Sequence, residues 1–302
     1  MGQNLSIRGS NKTKSAIEKI MNIIFLICGL TAIICVICMT IYMIISGWPA
    51  IQKIGITKFL FGQIWKPENS EFGILPMILA SIIATFLAIL VAMPTGVLVA
   101  VFLSKLIPEK LSSSLRMLID LLAGIPSVVY GLLGAILIVP LIFKLQTKAG
   151  LPTGGSLFAA IIILIIMILP TIISVSETAI RAVPKQYEDA SLALGSTRLQ
   201  SIFKVTIPAA KSGIVTGMVL GVGRAIGEAM AVMMVAGNAT LMPELLKPVR
   251  LLTTSIPIEW AYSSGLHREA LYGIGLVLFV FIMLINIGLN KVLKKGDVSN
   301  GK

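Results

Sequence analysis

Six long runs of apolar residues, separated by short polar connections, organise this chain. They cover Asn22–Ile45, Ile74–Leu103, Leu115–Phe143, Ser156–Ile180, Ser212–Gly237 and Ala270–Leu289. Each reaches the roughly 20 residues that a helix rising about 1.5 Å per residue needs to cross a hydrocarbon core. The pattern predicts an all-α, polytopic membrane protein with six transmembrane helices. The second and third runs exceed a straight crossing. Each holds an internal proline, Pro94 and Pro126, and a proline there kinks or breaks a helix. Such breaks are tolerated where backbone faces protein or a water-filled path rather than lipid. The first run follows a basic stretch, as a signal peptide would. Its apolar length exceeds the usual ~7–15 residues and no small-x-small cleavage site accompanies it, so a retained anchor is expected. The layout reads as a basic tail (1–21), a first helix (22–45), an outer segment (46–73), a core (74–291) enclosing a polar loop at 181–211, and a second tail (292–302).

Composition agrees with that class. Hydrophobic residues make up 56% of the 302 and charged residues 13%, against about 25% charged in a globular chain. Charge also orients the helices. Sixteen lysines and arginines lie in the two tails and in the second and fourth connections, against eight in the remaining connections. The excess of basic residues marks the cytoplasmic side, so both termini and the 181–211 loop are expected there. The net charge of +12 is spread over loops that flank apolar runs. Topology and attraction to anionic headgroups account for it, and no nucleic-acid partner is expected. Cys28, Cys35 and Cys38 all fall in the first run with no histidine beside them, so they read as small packing residues.

The polar loop carries the most specific pattern. Glu188 is followed by Asp189-Ala190-Ser191-x3-Gly195-x9-Val205-x-Ile207-Pro208. A short amphipathic helix over Glu188–Leu194 is expected to stop at Gly195, a usual helix-ending residue. A second, over Arg198–Val205, is expected to close before Pro208. A helix-turn-helix of this kind can lie on the membrane face and fit a groove on a soluble partner. The pattern resembles the coupling loop of ABC importer permeases, roughly E-A-A-x3-G-x9-I-x-L-P. Gly195 and Pro208 match outright; Asp189, Ser191, Val205 and Ile207 are conservative departures. The resemblance implies that Glu188, Asp189, Ala190, Ser191, Gly195 and Pro208 belong to a surface that receives an ATPase.

The fifth run contains Gly223-Arg224-Ala225-Ile226-Gly227-Glu228. A charge at mid-bilayer costs about 2.5–3.5 kcal/mol on insertion scales, so two in one helix need a reason. Four residues apart on a helix, Arg224 and Glu228 share a face and can neutralise each other. Two readings stand: a buried pair that fixes packing, or an anion pathway in which Arg224 meets substrate charge and Glu228 tunes its release. The planar, permanently charged guanidinium suits tetrahedral oxyanions. Gly213, Gly217 and Gly221 repeat at four-residue intervals, as do Gly223 and Gly227, a spacing that lets transmembrane helices pack closely.

Leu122-Ala123-Gly124-Ile125-Pro126-Ser127 combines glycine, proline and serine, so it is expected to break the third helix and expose backbone polar groups, unless it is only a kink. Ser127 and Asn238, at the end of the fifth run, join Arg224 and Glu228 as candidate pathway residues. Glu177, near the end of the fourth run, fits either the coupling surface or an interfacial position. The connection from Asn238 to Glu269 holds Pro243, Pro248 and Pro257 and is expected to be ordered but irregular; His267, the only histidine, stands near its end. No Gly-x4-Gly-Lys-Ser/Thr, His-Glu-x-x-His or Gly-x-Ser-x-Gly string occurs. No metal site, no enzyme activity and no cofactor of the chain's own is expected. ATP, if it drives this protein, is bound by a partner subunit.

Longer strings sharpen the resemblance. Phe72-Gly73-Ile74-Leu75-Pro76, Leu121–Gly131, Gly223–Glu228, Ala231–Asn238 and Gly265–Leu271 resemble the C-type (PstC) permease subunits of phosphate-specific ABC importers. The likeness runs from Phe72 to the last span. It implies a plasma-membrane complex with a second, PstA-like permease, PstB-like cytoplasmic ATP-binding subunits, a PstS-like external phosphate-binding protein and inorganic phosphate as substrate. It also implies that Arg224 and Glu228 lie near the path. Another oxyanion such as sulfate or molybdate, the sister A-type subunit, an ion-gradient-driven transporter and a non-transporting scaffold remain as alternatives.

Overall fold

The computed structural model describes the backbone of residues 12–298 and the side chains of 18–288. The side chains of Arg8, Lys12, Lys14, Lys291, Lys294, Lys295 and Lys302, which make up most of the two basic tails, lie outside the described residues.

Helices run in the order α1 (Lys12–Ile54), α2 (Ile56–Phe61), α3 (Leu75–Val101), α4 (Glu109–Gly124), α5 (Ser127–Leu133), α6 (Val139–Lys148) and α7 (Leu157–Arg181). There follow α8 (Lys185–Ala193), α9 (Arg198–Ser201), α10 (Ile207–Ala209), α11 (Lys211–Gly227), α12 (Met230–Val235), α13 (Leu252–Glu259) and α14 (Gly265–Val298). A two-stranded antiparallel ribbon, β1 (Trp65–Lys66) with β2 (Glu71–Phe72), pairs Trp65 with Phe72. Among the described residues five helical runs are long and apolar enough to cross a membrane: Glu18–Ile54, Leu75–Leu106, Ser127–Lys148, Leu157–Arg181 and Gly265–Gly288. A sixth arises when Arg198–Ala209 is joined to α11 across a 68° bend.

Three expected spans are redrawn. The third, read as one helix over Leu115–Phe143, is broken at Ile125-Pro126, both extended, because Pro126 offers no N–H to continue α4. The fifth, read over Ser212–Gly237, stops at Gly227 and resumes at Met230. The first extends beyond Asn22–Ile45 at both ends and carries Trp48 within the helix. Pro94, by contrast, leaves α3 continuous. The connection expected to be irregular contains α13.

Three π-helical turns, Phe102–Leu106, Gly134–Ile138 and Ile202–Thr206, widen the helices locally. The last two stand directly before Pro140 and Pro208. A proline ring clashes with the carbonyl four residues back, here Ile136 and Lys204, and both lie in the widened turns. The second hairpin helix therefore does not close before Pro208; its helical path passes through it to Ala209.

Helix α7 is the axis of the bundle, with α3 and α11 packed along it. Both neighbours present small residues to its large ones. Ala80, Ala84, Ala88 and Ala92 of α3 are fully buried in the same cluster as Leu164, Ile168 and Ile172 of α7. A Cβ on Gly213 would stand 2.3 Å from Ala179 Cβ, one on Gly217 3.2 Å from Val175 Cβ, and one on Gly221 3.0 Å from Ile172 Cγ1. The glycine repeat thus lets α11 lie directly on α7, as small residues do between transmembrane helices. Gly223 and Gly227 meet nothing within 4 Å and belong to an open face.

Gly213→Leu should therefore force α11 off α7 and cost about 1–3 kcal/mol, whereas Gly223→Ala should leave the fold unchanged. Thermal unfolding of the detergent-solubilised chain checks this: a clear loss in melting temperature for the first, none for the second. Equal shifts would mean that α11 packs otherwise.

Candidate functional site

Arg224 and Glu228 do not pair. Helix α11 ends at Gly227, and Glu228 takes an extended backbone (φ −75°, ψ 117°), so the shared helical face no longer exists. The first N–H groups of a helix lack intrahelical partners, and the Glu228 carboxylate fills one such place: its Oε1 accepts from Ala231 N at 2.9 Å, in the first turn of α12. The Glu228 carbonyl in turn accepts from Thr253 Oγ1 at 3.1 Å. Arg224, half-buried one turn earlier, donates from Nη1 to Thr171 Oγ1 of α7 at 3.1 Å.

Asn238 closes the other end of α12. Its Nδ2 donates to Met233 O at 2.7 Å and its own carbonyl accepts from Arg250 Nε at 2.9 Å. Gly237 and Asn238 both adopt left-handed backbones (φ 79° and 57°), which glycine and asparagine tolerate at a helix end. Ser127 opens α5 immediately after the Pro126 break and is half-buried. Helices α5 and α12 pack together so closely that a Cβ on Gly131 would stand 2.8 Å from Ala231 Cα. The two short helices that follow the two breaks are thus brought into contact. Among the candidates, Glu228 and Asn238 hold the ends of α12, while Arg224 faces α7. Thr171 was not anticipated, and nothing in the local sequence beyond its place after Pro170 marks it.

The polar loop forms a helical hairpin. Helix α8 starts at Lys185, three residues before the expected start, and ends at Ala193. Gly195 follows at φ +88° with nothing within 4 Å of a built Cβ, so backbone conformation rather than space requires glycine there. A capping box between Thr197 and Gln200 starts α9. Asp189, Ala190, Leu194 and Pro208 are exposed, Leu194 at 90%. Tyr187 and Leu199 add apolar surface on the same hairpin. Ser191 Oγ and Ser196 Oγ lie 2.7 Å apart across the turn. Glu188 points inward, where it pairs with Lys105 and accepts from Thr206 Oγ1 at 3.0 Å. Burial raises its carboxyl pKa, but Lys105, Thr206 and Arg198 outweigh that and hold it below the ordinary carboxylate value. Nearby, the buried Glu177 joins Arg116 and Arg181, and Arg181 also reaches Glu109 at 3.0 Å.

At the opposite end of the bundle Glu259 is the polar centre. It accepts from Trp65 Nε1 at 2.9 Å, meets His267 Nε2 at 2.7 Å and pairs with Arg250. Burial again raises the carboxyl pKa, but His267, Trp65 and Arg250 outweigh that and hold it below the ordinary value. Through Arg250 this cluster reaches Asn238 and so the end of α12. Among the described residues no group of three His, Cys, Asp or Glu side chains is placed to hold a metal ion.

Residues 92–294 match a family described as "Binding-protein-dependent transport system inner membrane component". A probable ABC transporter permease protein of Bacillus subtilis (strain 168), YqgH, is 39% identical over 269 residues, covering 85% of this chain and 86% of that protein. The phosphate transport system permease protein PstC of Pasteurella multocida (strain Pm70) is 34% identical over 260 residues, covering 80% and 81%. Among solved structures, a chain from a bacterial ABC transporter involved in the import of the acidic polysaccharide alginate superposes with a TM-score of 0.62 at 15% identity, over 93% of this chain and 99% of that one. A chain of the MetNI methionine ABC transporter gives 0.52 at 21% identity. At such identities the likeness concerns the fold alone.

The Glu259 carboxyl, with a folded pKa below its ordinary 4.5, contributes stability that is present above that value and lost as pH falls through the folded one. Glu259→Gln should lower the melting temperature by about 2–8 °C at neutral pH, and the gap to wild type should close on acidification below about pH 4.5. A gap independent of pH would show that the ionised carboxylate is not what stabilises this end.

Proposed function

The chain belongs to the family of binding-protein-dependent transport system inner membrane components, and from that membership we propose that it is the permease subunit of an ATP-driven importer of inorganic phosphate. The observation that carries the substrate is 34% identity over four-fifths of the chain to a phosphate transport system permease. The multi-pass helical bundle, with its break at Glu228-Ala229 beside an arginine, fits an anion path through the membrane.

In this reading ATP is bound and hydrolysed by separate subunits beneath the Lys185–Ala209 hairpin. The excess of lysine and arginine supports a cytoplasmic position for that hairpin. Its exposed face, with Tyr187, Asp189, Ala190, Leu194 and Leu199, seats on the ATPase. Gly195 and Pro208 set the angles of its helices. A phosphate-binding protein delivers substrate at the opposite end, near the β1–β2 ribbon and the Glu259 cluster. A second, PstA-like permease covers the open face that carries Gly223 and Gly227. Phosphate then passes Arg224, whose Nη1 is steadied by Thr171 and whose remaining donors stay available to an oxyanion. Ser127 lies on the same path, while Glu228 and Asn238 keep its wall in shape by closing α12.

ATP-dependent uptake of labelled phosphate, with sulfate as competitor, tests this in vesicles holding all four kinds of subunit. A charge-assisted hydrogen bond is worth about 1.5–3 kcal/mol, so Arg224→Gln should lower uptake by about tenfold or more while the complex still assembles. Gly195→Val, which forces a β-branched residue to φ +88°, should abolish coupling with the path intact. Normal uptake in Arg224→Gln would reduce that residue to a packing contact. An intact, ATP-hydrolysing wild-type complex that takes up no phosphate would sink the substrate assignment.

A further inference from the structure

The π-turn Phe102–Leu106 that ends the α3 run is held from three sides. Leu103 O accepts from Ser112 Oγ of α4 at 2.7 Å and from Arg181 Nη2 of α7 at 3.3 Å. Lys105 O accepts from Arg198 Nη2 of the hairpin at 2.7 Å. These are carbonyls that a helix C-terminus leaves without intrahelical partners, and arginines from two other elements fill them. The Lys105 side chain returns the contact: its ammonium pairs with Glu188 of α8, and that carboxylate also takes Thr206 Oγ1.

Among the described residues, both side-chain hydrogen bonds from the hairpin to the transmembrane bundle end on Lys105, one at its carbonyl and one at its ammonium. The rest of the attachment is apolar, through Ile202 and Ile207 of the hairpin and the flanking Val183 and Ala210, packed with Ala100, Val101, Ile180 and Ile214. Apolar contact is non-directional and supplies most of the adhesion. A desolvated ion pair adds little net stability but fixes geometry. The Lys105 and Glu188 side chains are only 13% and 22% exposed. Tyr187 and Leu194 of the same hairpin, by contrast, are exposed.

We propose that Lys105 and Glu188 are positioning residues for transport, through which displacement of the hairpin is transmitted to α3 and, across the shared π-turn, to α4 and α7. The proposal rests on the hairpin being the coupling element of an ATP-driven importer. Arg198 and Thr206 hold the pair in register: one grips the lysine's carbonyl, the other the glutamate's carboxylate.

The test uses the complete complex with Lys105→Gln, Glu188→Gln and the reversed pair Lys105→Glu with Glu188→Lys, reading phosphate taken up per ATP hydrolysed. Each single variant should assemble and lose about tenfold in that ratio, and the reversed pair should recover most of it, as coupled residues do in a double-mutant cycle. An unchanged ratio in both singles, failure of both to assemble, or a reversed pair no better than the singles would overturn the proposal. A second readout needs no phosphate. Spin labels at Gln186→Cys and Leu98→Cys, with Cys28, Cys35 and Cys38 replaced by serine, report the distance between hairpin and α3. With Lys105 present, one narrow distance should persist with and without bound nucleotide. Lys105→Gln should broaden it, and an equally narrow distribution in that variant would refute the link. If the wild-type complex hydrolyses ATP without moving phosphate, the substrate assignment fails while this distance still decides the role of the pair.

Discussion

A backbone amide or carbonyl inside an apolar bundle must find its partner within the protein, because neither lipid nor packed side chains supply one. Most of this chain meets that demand with uninterrupted helix. Where helices stop, side chains take over. The Glu228 carboxylate receives Ala231 N, Asn238 Nδ2 serves Met233 O, and Thr253 serves the carbonyl of Glu228. Tyr130 Oη donates to Leu122 O at 2.7 Å across the Pro126 break. Arg181 and Arg198 close the carbonyls at the end of α3. Thr95 Oγ1 bonds Val91 O beside Pro94 at 2.7 Å. The polar residues that look out of place in the apolar runs are, in large part, the ones that let those runs be interrupted.

That constraint explains what was legible in the sequence. Apolar run length reports how much helix is needed, so the helical, membrane-spanning class and the places of α3, α7 and α14 could be read directly. Run length does not report where a helix breaks inside a run. Pro126 breaks one because it lacks an N–H and holds Ile125, before it, in the extended region. Pro94 does not, and α3 runs through it. Pro140 and Pro208 are absorbed by π-turns that no local pattern announces. The glycine repeat Gly213-Gly217-Gly221 was readable as a packing stripe, since its period matches a helix face and α7 offers the large residues to fill it.

The candidate residues could be picked out, but their geometry was misread. Arg224 and Glu228 stand out as charges in an apolar run, but the four-residue pairing assumed a helix that ends at Gly227. Once the backbone extends, the carboxylate reaches forward to α12 instead of back to the arginine. Glu188 belongs to the hairpin as its motif suggests, yet it faces the bundle. The sequence cannot signal that Lys105, 83 residues earlier, supplies its partner. Glu259 and His267 likewise meet Trp65 and Arg250 only through the tertiary fold. Long-range polar pairs of this kind carry no periodicity, which is why they escape a reading based on spacing.

The same distribution of order and interruption says where the bundle can move. Along α7, small residues of α3 and α11 interlock with branched ones, and a packed seam of that kind cannot slide locally without opening voids. Helices α3, α7 and α11 therefore behave as one body over their shared length. The compliant points lie at its margins: the bend at Ala210, the break at Ile125-Pro126 and the break at Glu228-Ala229. Each break is held by a few hydrogen bonds from side chains, which exchange at far lower cost than buried apolar contacts separate. The half-buried Arg224 stands one turn before one of these breaks, that at Glu228-Ala229.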